Sequence, residues 1–297
     1  MKNKVLVFGG SGFVGKYIVN ELIKRKYNVL VADINQADSE HNYIHCDITK
    51  REDVLSLLNH DSFNFIYNLA GFANLDASSK HPYDTFQLNV LGNINILDAV
   101  CSIKCERFIY ASSAYAMSNK GSFYGLSKLA SEKLIEEYSM IYNLNYSILR
   151  YGSIYSELPF SNNYIYTVIE KAIKEKVIIH GGDGEELREY IHASDAAKLS
   201  VDIIESSQFI NQIVVLTGSE KMRRIDLFLM IKEMLNDDVE IILETGNYNH
   251  HYRFTPYSFT PTFSRKLSAN PHIDIGQGIL ECIKNAYKYN AGIEEYR

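Results

Sequence analysis

Short apolar runs alternate with longer segments of helical periodicity through the first half of the chain. The apolar runs predict strands at Val5–Phe8, Asn28–Ala32, Tyr43–Cys46, Phe63–Asn68, Arg107–Ser112 and Tyr146–Arg150. The periodic segments predict helices at Phe13–Lys26, Arg51–Leu58, Pro82–Cys101 and Tyr124–Tyr142. Because the strands are almost continuously apolar, each is expected to be covered on both faces. The alternation predicts an α/β fold with a doubly wound parallel sheet.

The rhythm changes after Tyr151. Helices are predicted at Tyr164–Lys176, Ser194–Glu205 and Gly278–Lys288, and a further strand at Ile213–Leu216. No linker or repeat separates these segments from the first half, so a smaller lobe interleaved with the main domain is expected. We predict that residues 1–152 and 188–217 form the main domain, and that residues 153–187 and 218–297 form the lobe.

Composition narrows the functional class. A net charge of −6 over 297 residues weighs against nucleic-acid binding, which usually needs a basic face. No run of 18 apolar residues predicts a membrane span, and glycines interrupt the apolar N-terminal stretch that a signal peptide would need. The four cysteines form no Cys-x-x-Cys pair, so a reduced, cytoplasmic protein without a metal site is expected.

A glycine-rich loop directly follows the first predicted strand and opens the first helix. Its sequence is Gly9-Gly10-Ser11-Gly12-Phe13-Val14-Gly15. Glycines at this spacing permit a tight turn and let the backbone approach a pyrophosphate at the helix N-terminus. Between strand and helix, the loop predicts a Rossmann dinucleotide site formed by Gly9, Gly12, Phe13, Val14 and Gly15.

Two acidic residues follow later strands of the same unit. Asp33 ends the second strand, where a carboxylate can accept hydrogen bonds from the adenosine ribose and would repel a 2′-phosphate. No arginine follows it, so NAD is favoured over NADP. Asp47, after the third strand, is a candidate for the adenine amino group, with helix capping as the alternative.

A phenol and an amine are spaced one helical turn apart in Tyr124-Gly125-Leu126-Ser127-Lys128. An ammonium group and a positive nicotinamide would stabilise the phenolate, which lets Tyr124 accept a hydroxyl proton while hydride leaves. Ser113, at the end of the preceding strand, can bind the same hydroxyl, whereas Ser112 is expected to form a turn. Tyr124, Lys128 and Ser113 are therefore the candidate catalytic residues.

With these motifs in place, the chain resembles the extended short-chain dehydrogenases that act on nucleotide sugars, typified by the UDP-glucose 4-epimerases. The matching motifs are the glycine loop, Asp33, Cys46-Asp47-Ile48, Asn68-Leu69-Ala70-Gly71, Asn89-Val90-x-Gly92, Ser112-Ser113, Tyr124–Lys128, Leu149-Arg150-Tyr151 and Arg188-Glu189-Tyr190-Ile191-His192. They run from Val5 to about Leu199, with a weaker tail.

The resemblance implies roles that spacing alone does not. It places Ile48, Leu69, Ala70, Gly71, Asn89 and Tyr151 beside NAD, together with Asp47, Tyr124 and Lys128. It implies that Arg188 grips the nucleotide diphosphate, with Arg253 as a second clamp and Ser153 in the substrate site. It also implies a homodimer whose four-helix interface is formed by the Pro82–Cys101 and Tyr124–Tyr142 helices.

Departures from the family pattern bear on the reaction. Ala114 and Tyr115 stand where the 4,6-dehydratases carry an Asp-Glu pair, so dehydration is not expected. Ser153 replaces a common asparagine, and the tail around Arg253 lacks the usual Arg-x-Gly-Asp form. These changes favour an unusual substrate, such as a GDP- or CDP-linked heptose or deoxysugar of a bacterial surface polysaccharide.

The expected reaction is NAD-dependent oxidation of a sugar C4 hydroxyl. Release of the 4-keto sugar would make the protein a dehydrogenase, and return of hydride to the opposite face would make it a 4-epimerase. A non-catalytic NAD sensor is the rival class, which the retention of Ser113, Tyr124 and Lys128 disfavours.

Overall fold

The computed structural model describes residues 3–36, 41–59, 61–244, 251–254 and 265–290. The strands, in chain order, are β1 (Lys4–Phe8), β2 (Asn28–Asp33), β3 (Tyr43–His45), β4 (Phe65–Asn68), β5 (Arg107–Ser113), β6 (Tyr146–Tyr151), β7 (Ser153–Tyr155), β8 (Val177–His180), β9 (Leu187–Arg188), β10 (Tyr190–His192), β11 (Gln212–Leu216), β12 (Met222–Arg223), β13 (Glu240–Leu243) and β14 (Arg265–Leu267). The helices are α1 (Phe13–Lys24), α2 (Arg51–Asn59), α3 (Leu75–Ser78), α4 (Pro82–Phe86), α5 (Gly92–Cys101), α6 (Ser122–Tyr142), α7 (Tyr164–Glu175), α8 (Ala193–Ile204), α9 (Arg224–Met234) and α10 (Ile275–Asn290).

An eight-stranded parallel sheet forms the centre of the molecule, which confirms the predicted doubly wound fold. The strand order is β14-β11-β6-β5-β4-β1-β2-β3. The chain reverses its direction of travel across the sheet between β1 and β4. Ligands of such sheets bind at the carboxyl ends of the strands beside this reversal. The glycine loop leaves β1 at that position.

Helices cover both faces of the sheet. On one face, Ile18 and Leu22 of α1 share a buried cluster with Val201 of α8. On the other, side chains of α2, α5 and α6 pack together, among them Leu57 and Ile96. Burial on both sides explains why the strands read as continuous apolar runs.

A third buried cluster lies in the lobe, where α7, α9 and α10 pack together through residues such as Ile169, Phe228 and Ile279. Short ladders join β8 to β13 and β9 to β12 beside it. This separate core lies in segments assigned to the proposed lobe, whereas β14, which the same division assigned to the lobe, forms an edge strand of the central sheet.

The helix predicted at Pro82–Cys101 is interrupted. A π-helical turn at Gln87–Leu91 separates α4 from α5. Such turns commonly occur at functional sites because they rotate one side chain out of the regular spacing. Here the turn contains Asn89, whose side chain contacts two elements of the candidate active site.

Candidate active site

The glycine loop packs so closely that two of its glycines admit no side chain. Gly9 has a φ of +76°, and a Cβ placed on it would lie 2.4 Å from the backbone nitrogen of Ala70. A Cβ on Gly15 would lie 2.2 Å from the Gly9 carbonyl oxygen. The loop therefore lies directly against the segment that follows β4, and helix α1 begins immediately after Gly12.

A pocket of about 480 Å³, the glycine-loop pocket, opens at this point. Eight of the residues predicted to bind the cofactor line it: Gly9, Gly12, Asp33, Asp47, Ile48, Leu69, Ala70 and Gly71. They come from the ends of neighbouring strands, as the doubly wound topology requires. The tight glycine turn and the acidic residues fit the shape and the hydrogen-bonding groups of NAD.

Backbone groups hold the Asp33 carboxylate in place at the wall of this pocket. One oxygen accepts from the Ser11 amide at 3.1 Å, and the other from the Asn35 amide at 3.1 Å. Asp47 accepts from the amide and the hydroxyl of Thr49, at 3.0 and 2.7 Å. Burial opposes ionisation of Asp47, but these hydrogen bonds and the nearby Lys50 lower its pKa overall. Because Thr49 lies before the start of α2 at Arg51, these contacts hold Asp47 in a turn on the pocket wall and are not the predicted helix cap.

Other residues predicted to bind the cofactor do not line this pocket. Phe13 packs against Phe160, with ring centroids 5.0 Å apart. Asn89 is buried, accepts from the Phe72 amide at 2.7 Å and donates to the Ser127 hydroxyl at 2.9 Å. Its side-chain amide therefore joins the loop after Gly71 to helix α6, which carries Tyr124 and Lys128. Val14 and Gly15 do not line the pocket either.

Helix α6 begins at Ser122 and brings the predicted catalytic pair to one face. Lys128 is buried, and its ammonium donates to the Ala111 carbonyl at 2.8 Å. The ammonium lies 3.6 Å from the point that a Cβ on Gly71 would occupy, so it reaches the wall of the glycine-loop pocket. The Tyr124 hydroxyl is hydrogen-bonded to Ser113, and Lys128 follows Tyr124 by one turn of the same helix.

Burial shifts both titrating groups towards their neutral forms. It raises the pKa of Tyr124, an effect that the hydrogen bond from Ser113 opposes and the nearby Tyr252 reinforces. It lowers the pKa of Lys128 to about 8, against the attraction of Glu132. The protein chain by itself therefore does not make Tyr124 a phenolate. The positive charge of NAD⁺ is the remaining contribution in the predicted scheme.

Ser112, expected to form a turn, instead belongs to a buried network. Its hydroxyl donates to Glu132 of α6. The same carboxylate accepts from Arg150 of β6 at 2.8 and 2.6 Å. Arg150 bonds both oxygens of this buried carboxylate, and the serine adds a second donor to Oε1, so the charge pair ties helix α6 to the sheet.

A second pocket, of about 260 Å³, lies beside Tyr124 and is called here the tyrosine pocket. Five predicted site residues line it: Ser113, Tyr124, Tyr151, Ser153 and Arg188. The Tyr151 hydroxyl is hydrogen-bonded to Ser200 at 2.7 Å in the core, so its polar end is not directed at a ligand.

Arg188 is the predicted substrate residue that the structure places most deeply, with 2% of its surface exposed. Its Nη1 donates to the Leu187 carbonyl at 2.8 Å, and its guanidinium carbon lies 4.2 Å from the centroid of the Tyr252 ring. Among the described residues its Nη2 has no hydrogen-bond partner. A buried donor of this kind costs free energy unless a ligand accepts from it.

Arg253, predicted as the second clamp, does not line the tyrosine pocket. Its side chain is 60% exposed and pairs with Asp183 at 3.2 Å. Arg224 occupies the pocket instead, stacked 4.2 Å from the centroid of the Tyr164 ring. The sequence offered no signal for Arg224, because the fold brings it to the pocket from the start of α9.

A histidine that no sequence motif indicates lies next to Tyr115. The Tyr115 hydroxyl and Nδ1 of His251 are 2.9 Å apart, and Nε2 of His251 lies 3.1 Å from Oδ1 of Asp76. All three residues line the tyrosine pocket. They are separated by up to 175 positions, so no local motif could have revealed them.

A doubly wound sheet with a glycine loop beside a second pocket is typical of proteins that bind a dinucleotide at the carboxyl ends of the strands. A model of the NAD-dependent epimerase/dehydratase family matches residues 5–216, and the chain belongs to that family. It is an NAD-dependent enzyme, as the sequence predicted.

Individual relatives agree with this assignment. The chain is 27% identical to a Methanocaldococcus jannaschii protein provisionally named a UDP-glucose 4-epimerase, over 94% of this chain and 97% of the relative. It is 23% identical to the CDP-paratose 2-epimerase of Salmonella typhi, over 80% and 86%. The fold matches a UDP-glucuronic acid 4-epimerase from Bacillus cereus, solved with UDP-glucuronic acid and NAD, with a TM-score of 0.83, 20% identity and coverage of 96% and 99%.

Two features are absent from the part of the chain that the structure describes. No helix there is both long and apolar enough to cross a membrane. In the same part of the chain, no group of three or more His, Cys, Asp or Glu side chains is arranged to hold a metal ion.

Proposed function

We propose that this enzyme uses NAD to oxidise the C4 hydroxyl of a nucleotide-linked sugar. The net outcome favoured here is 4-epimerisation, in which hydride returns to the opposite face of the sugar. Release of the 4-keto sugar is the second candidate. Several relatives are named as 4-epimerases, and this supports the first outcome.

One observation carries the proposal. Tyr124 lines the tyrosine pocket, while Lys128 on the next turn reaches Gly71 at the wall of the glycine-loop pocket. The proton acceptor and the ammonium therefore lie where a sugar in one pocket would meet a nicotinamide in the other. An acid/base residue must lie within hydrogen-bonding reach of the proton that it moves.

In the proposed reaction, Tyr124 accepts the proton of the C4 hydroxyl, and Ser113 holds the same oxygen by a hydrogen bond. The Lys128 ammonium, which donates a hydrogen bond to the Ala111 carbonyl, stabilises the phenolate by its positive charge. NAD⁺ supplies the hydride acceptor and a positive charge that lowers the pKa of Tyr124. Reprotonation of the C4 oxygen by Tyr124 completes epimerisation.

The nucleotide diphosphate is assigned to the arginine side of the tyrosine pocket. Arg188 has a buried donor that a phosphate oxygen would satisfy, and Arg224 adds a second buried cation from α9. Arginine is suited to this role because its planar fork can bind two phosphate oxygens at once. Ser153 lies in the same pocket and is proposed to contact the substrate.

For the substrate we propose a sugar of bacterial surface polysaccharides, such as a GDP- or CDP-linked heptose or deoxysugar. The test is a screen of UDP-, dTDP-, GDP- and CDP-linked sugars with NAD-bound protein, read by mass spectrometry and NMR. A product of equal mass identifies an epimerase, and one lighter by two hydrogens identifies a dehydrogenase. The Tyr124→Phe variant is the matched control.

Two other outcomes of the screen would contradict the proposal. A product lighter by one water would place the protein with the dehydratases. Tight NAD binding without turnover of any sugar in the screen would favour the non-catalytic sensor.

We also propose that the protein is a cytoplasmic homodimer joined through α4–α6. Exposed apolar side chains on these helices and on the π-helical turn support this assembly. They are Tyr83, Leu91, Phe123, Leu126, Met140 and Ile141. Apolar patches of this kind are commonly interfaces. Light scattering should give twice the chain mass, and Leu126→Glu combined with Met140→Glu should give monomers. A monomeric parent protein would exclude the dimer.

A further inference from the structure

The Tyr115 hydroxyl and its two partners form an ordered proton chain. Asp76 Oδ1 can only accept when ionised, so the hydrogen bond at 3.1 Å requires a proton on Nε2 of His251. In the neutral imidazole, Nδ1 then carries a lone pair and accepts from the Tyr115 hydroxyl at 2.9 Å. The order is phenol, imidazole, carboxylate, which lets the histidine take a proton from the tyrosine while the aspartate supports the positive charge.

The proton chain of Tyr115, His251 and Asp76 lies on the wall of the tyrosine pocket, which Tyr124 also lines. The rings of Tyr115 and Tyr124 are 6.2 Å apart at their centroids, and the ring of Tyr115 also packs against Tyr252 at 4.6 Å. Gly121, just before α6, admits no side chain, because a Cβ there would lie 2.7 Å from the Tyr115 ring. The backbone thus holds the second phenol in a fixed position beside the first.

The surroundings keep His251 in the state that accepts a proton. Burial lowers its pKa, Asp76 opposes this effect, and the charges of Arg188 and Arg224 reinforce it. The imidazole is therefore neutral near pH 7, as a base must be. The Tyr115 hydroxyl donates a hydrogen bond to it at 2.9 Å.

We propose that Tyr115, with His251 and Asp76 behind it, is a second acid/base site that exchanges a proton on a carbon next to the C4 ketone. The inference rests on the proposed function, because only a 4-keto sugar has acidic hydrogens at C3 and C5. It assigns the enzyme a further activity, which is enolisation of the ketosugar with exchange of a hydrogen bound to a carbon next to C4.

The proton transfers balance without another reactant. The phenolic oxygen of Tyr115 takes the proton from the carbon as its own proton passes to Nδ1 of His251. The electron pair of the broken carbon–hydrogen bond forms the enolate, whose charge lies on the C4 oxygen. Tyr124, now protonated, and Ser113 donate hydrogen bonds to that oxygen. Return of a proton from Tyr115 restores the ketone and leaves all side chains in their starting state.

Hydrogen exchange in D₂O tests this site directly. NAD-bound protein is incubated with a preformed ketosugar, UDP-4-keto-6-deoxyglucose, and deuterium at C3 and C5 is followed by NMR against a protein-free sample. We expect faster exchange with the parent protein and a loss of about 10²-fold in Tyr115→Phe and His251→Gln. Tyr287→Phe, on the exposed side of α10, is the matched control and should exchange at the parent rate. Thermal melting and NAD binding verify that each variant is folded.

Asp76→Asn tests the positioning role. It removes the charge that raises the pKa of His251, so the exchange rate should reach half its maximum at a lower pH than in the parent protein. A change in rate without a shift of the pH profile would remove Asp76 from the chain.

The remaining outcomes separate this inference from the proposed function. No exchange above the protein-free rate, or equal exchange in Tyr115→Phe, overturns the second site even if the enzyme epimerises nucleotide sugars. Exchange of the ketosugar together with failure to oxidise any nucleotide sugar supports the second site and overturns the proposed C4 oxidation.

Discussion

The guanidinium of Arg188 lies 4.2 Å from the centre of the Tyr252 ring, so one face of a buried cation rests on an aromatic surface. This contact stabilises the charge without satisfying its outer nitrogen, since a ring face accepts no conventional in-plane hydrogen bond. Nη1 is satisfied by the Leu187 carbonyl. What is left is a fixed donor at the wall of the tyrosine pocket, which is an arrangement suited to an anionic ligand.

Replacement of Arg188 by alanine should therefore weaken binding of the nucleotide sugar by about 1.5–3 kcal/mol, the range for a hydrogen bond to a charged group. NAD affinity should hardly change, because Arg188 does not line the glycine-loop pocket. Isothermal titration calorimetry with each ligand measures both values.

Arg253→Ala is the matched control for this experiment. Arg253 is exposed and pairs with Asp183, so its loss should change binding of the sugar nucleotide by less than about 1 kcal/mol. Equal effects of the two variants would restore Arg253 to the clamp that the family resemblance implied.

The contrast between these two arginines shows which site residues can be predicted from the sequence. Arg188 was found because it belongs to a contiguous motif, and Tyr124 with Lys128 because one helical turn fixes their spacing. Arg224 and His251 reach the same pocket through the packing of distant segments, which leaves no periodic signal. The π-helical turn at Asn89 leaves no periodic signal either, because the Asn89 side chain is hydrogen-bonded to Phe72, 17 positions away in the sequence.

Tyr124→Phe should abolish hydride transfer while leaving NAD bound. The substitution removes the proton acceptor but retains the ring that packs near Tyr115. A loss of about 10²-fold or more in kcat is expected for an acid/base residue, measured as turnover of the substrate identified in the screen. Near-normal turnover with unchanged NAD affinity would reduce Tyr124 to a packing residue.

The preference for NAD over NADP should depend on the charge of Asp33. The parent protein should bind NAD at least about tenfold more tightly, which corresponds to about 1.4 kcal/mol. Asp33→Asn should reduce this ratio, because the amide keeps an acceptor for Ser11 but no longer repels a 2′-phosphate. Fluorescence titration with both dinucleotides provides the test.

Asp237→Asn serves as the matched control for Asp33. Asp237 is exposed, and its φ of +59° suits asparagine. The control should keep the parent ratio. Equal or tighter binding of NADP by the parent protein would contradict the assignment of Asp33 to the ribose.

Lys128→Met should give an inactive protein whose stability relative to the parent depends on pH in one direction. Burial lowers the pKa of Lys128 from 10.5 to about 8, so between these values the unfolded chain binds more protons at this site than the folded chain. The stability of the parent therefore rises with pH across this window, and the cost of the buried charge is fully present below about pH 8. Methionine carries no such dependence.

The difference in unfolding free energy between the two proteins isolates this effect, since other titrating groups cancel. Urea unfolding at pH 7.5 and at pH 10.5, without NAD, measures this difference. The unfolding free energy of the parent minus that of the variant should increase by on the order of 3 kcal/mol between these pH values. The hydrogen bond that Lys128 donates to Ala111 adds a constant offset, which does not alter the slope. A difference that is flat with pH would mean that the lysine keeps its ordinary pKa in the fold. In that case Glu132 and the Ala111 carbonyl would offset the cost of burial, and the lysine would remain charged beside Tyr124 through most of this window.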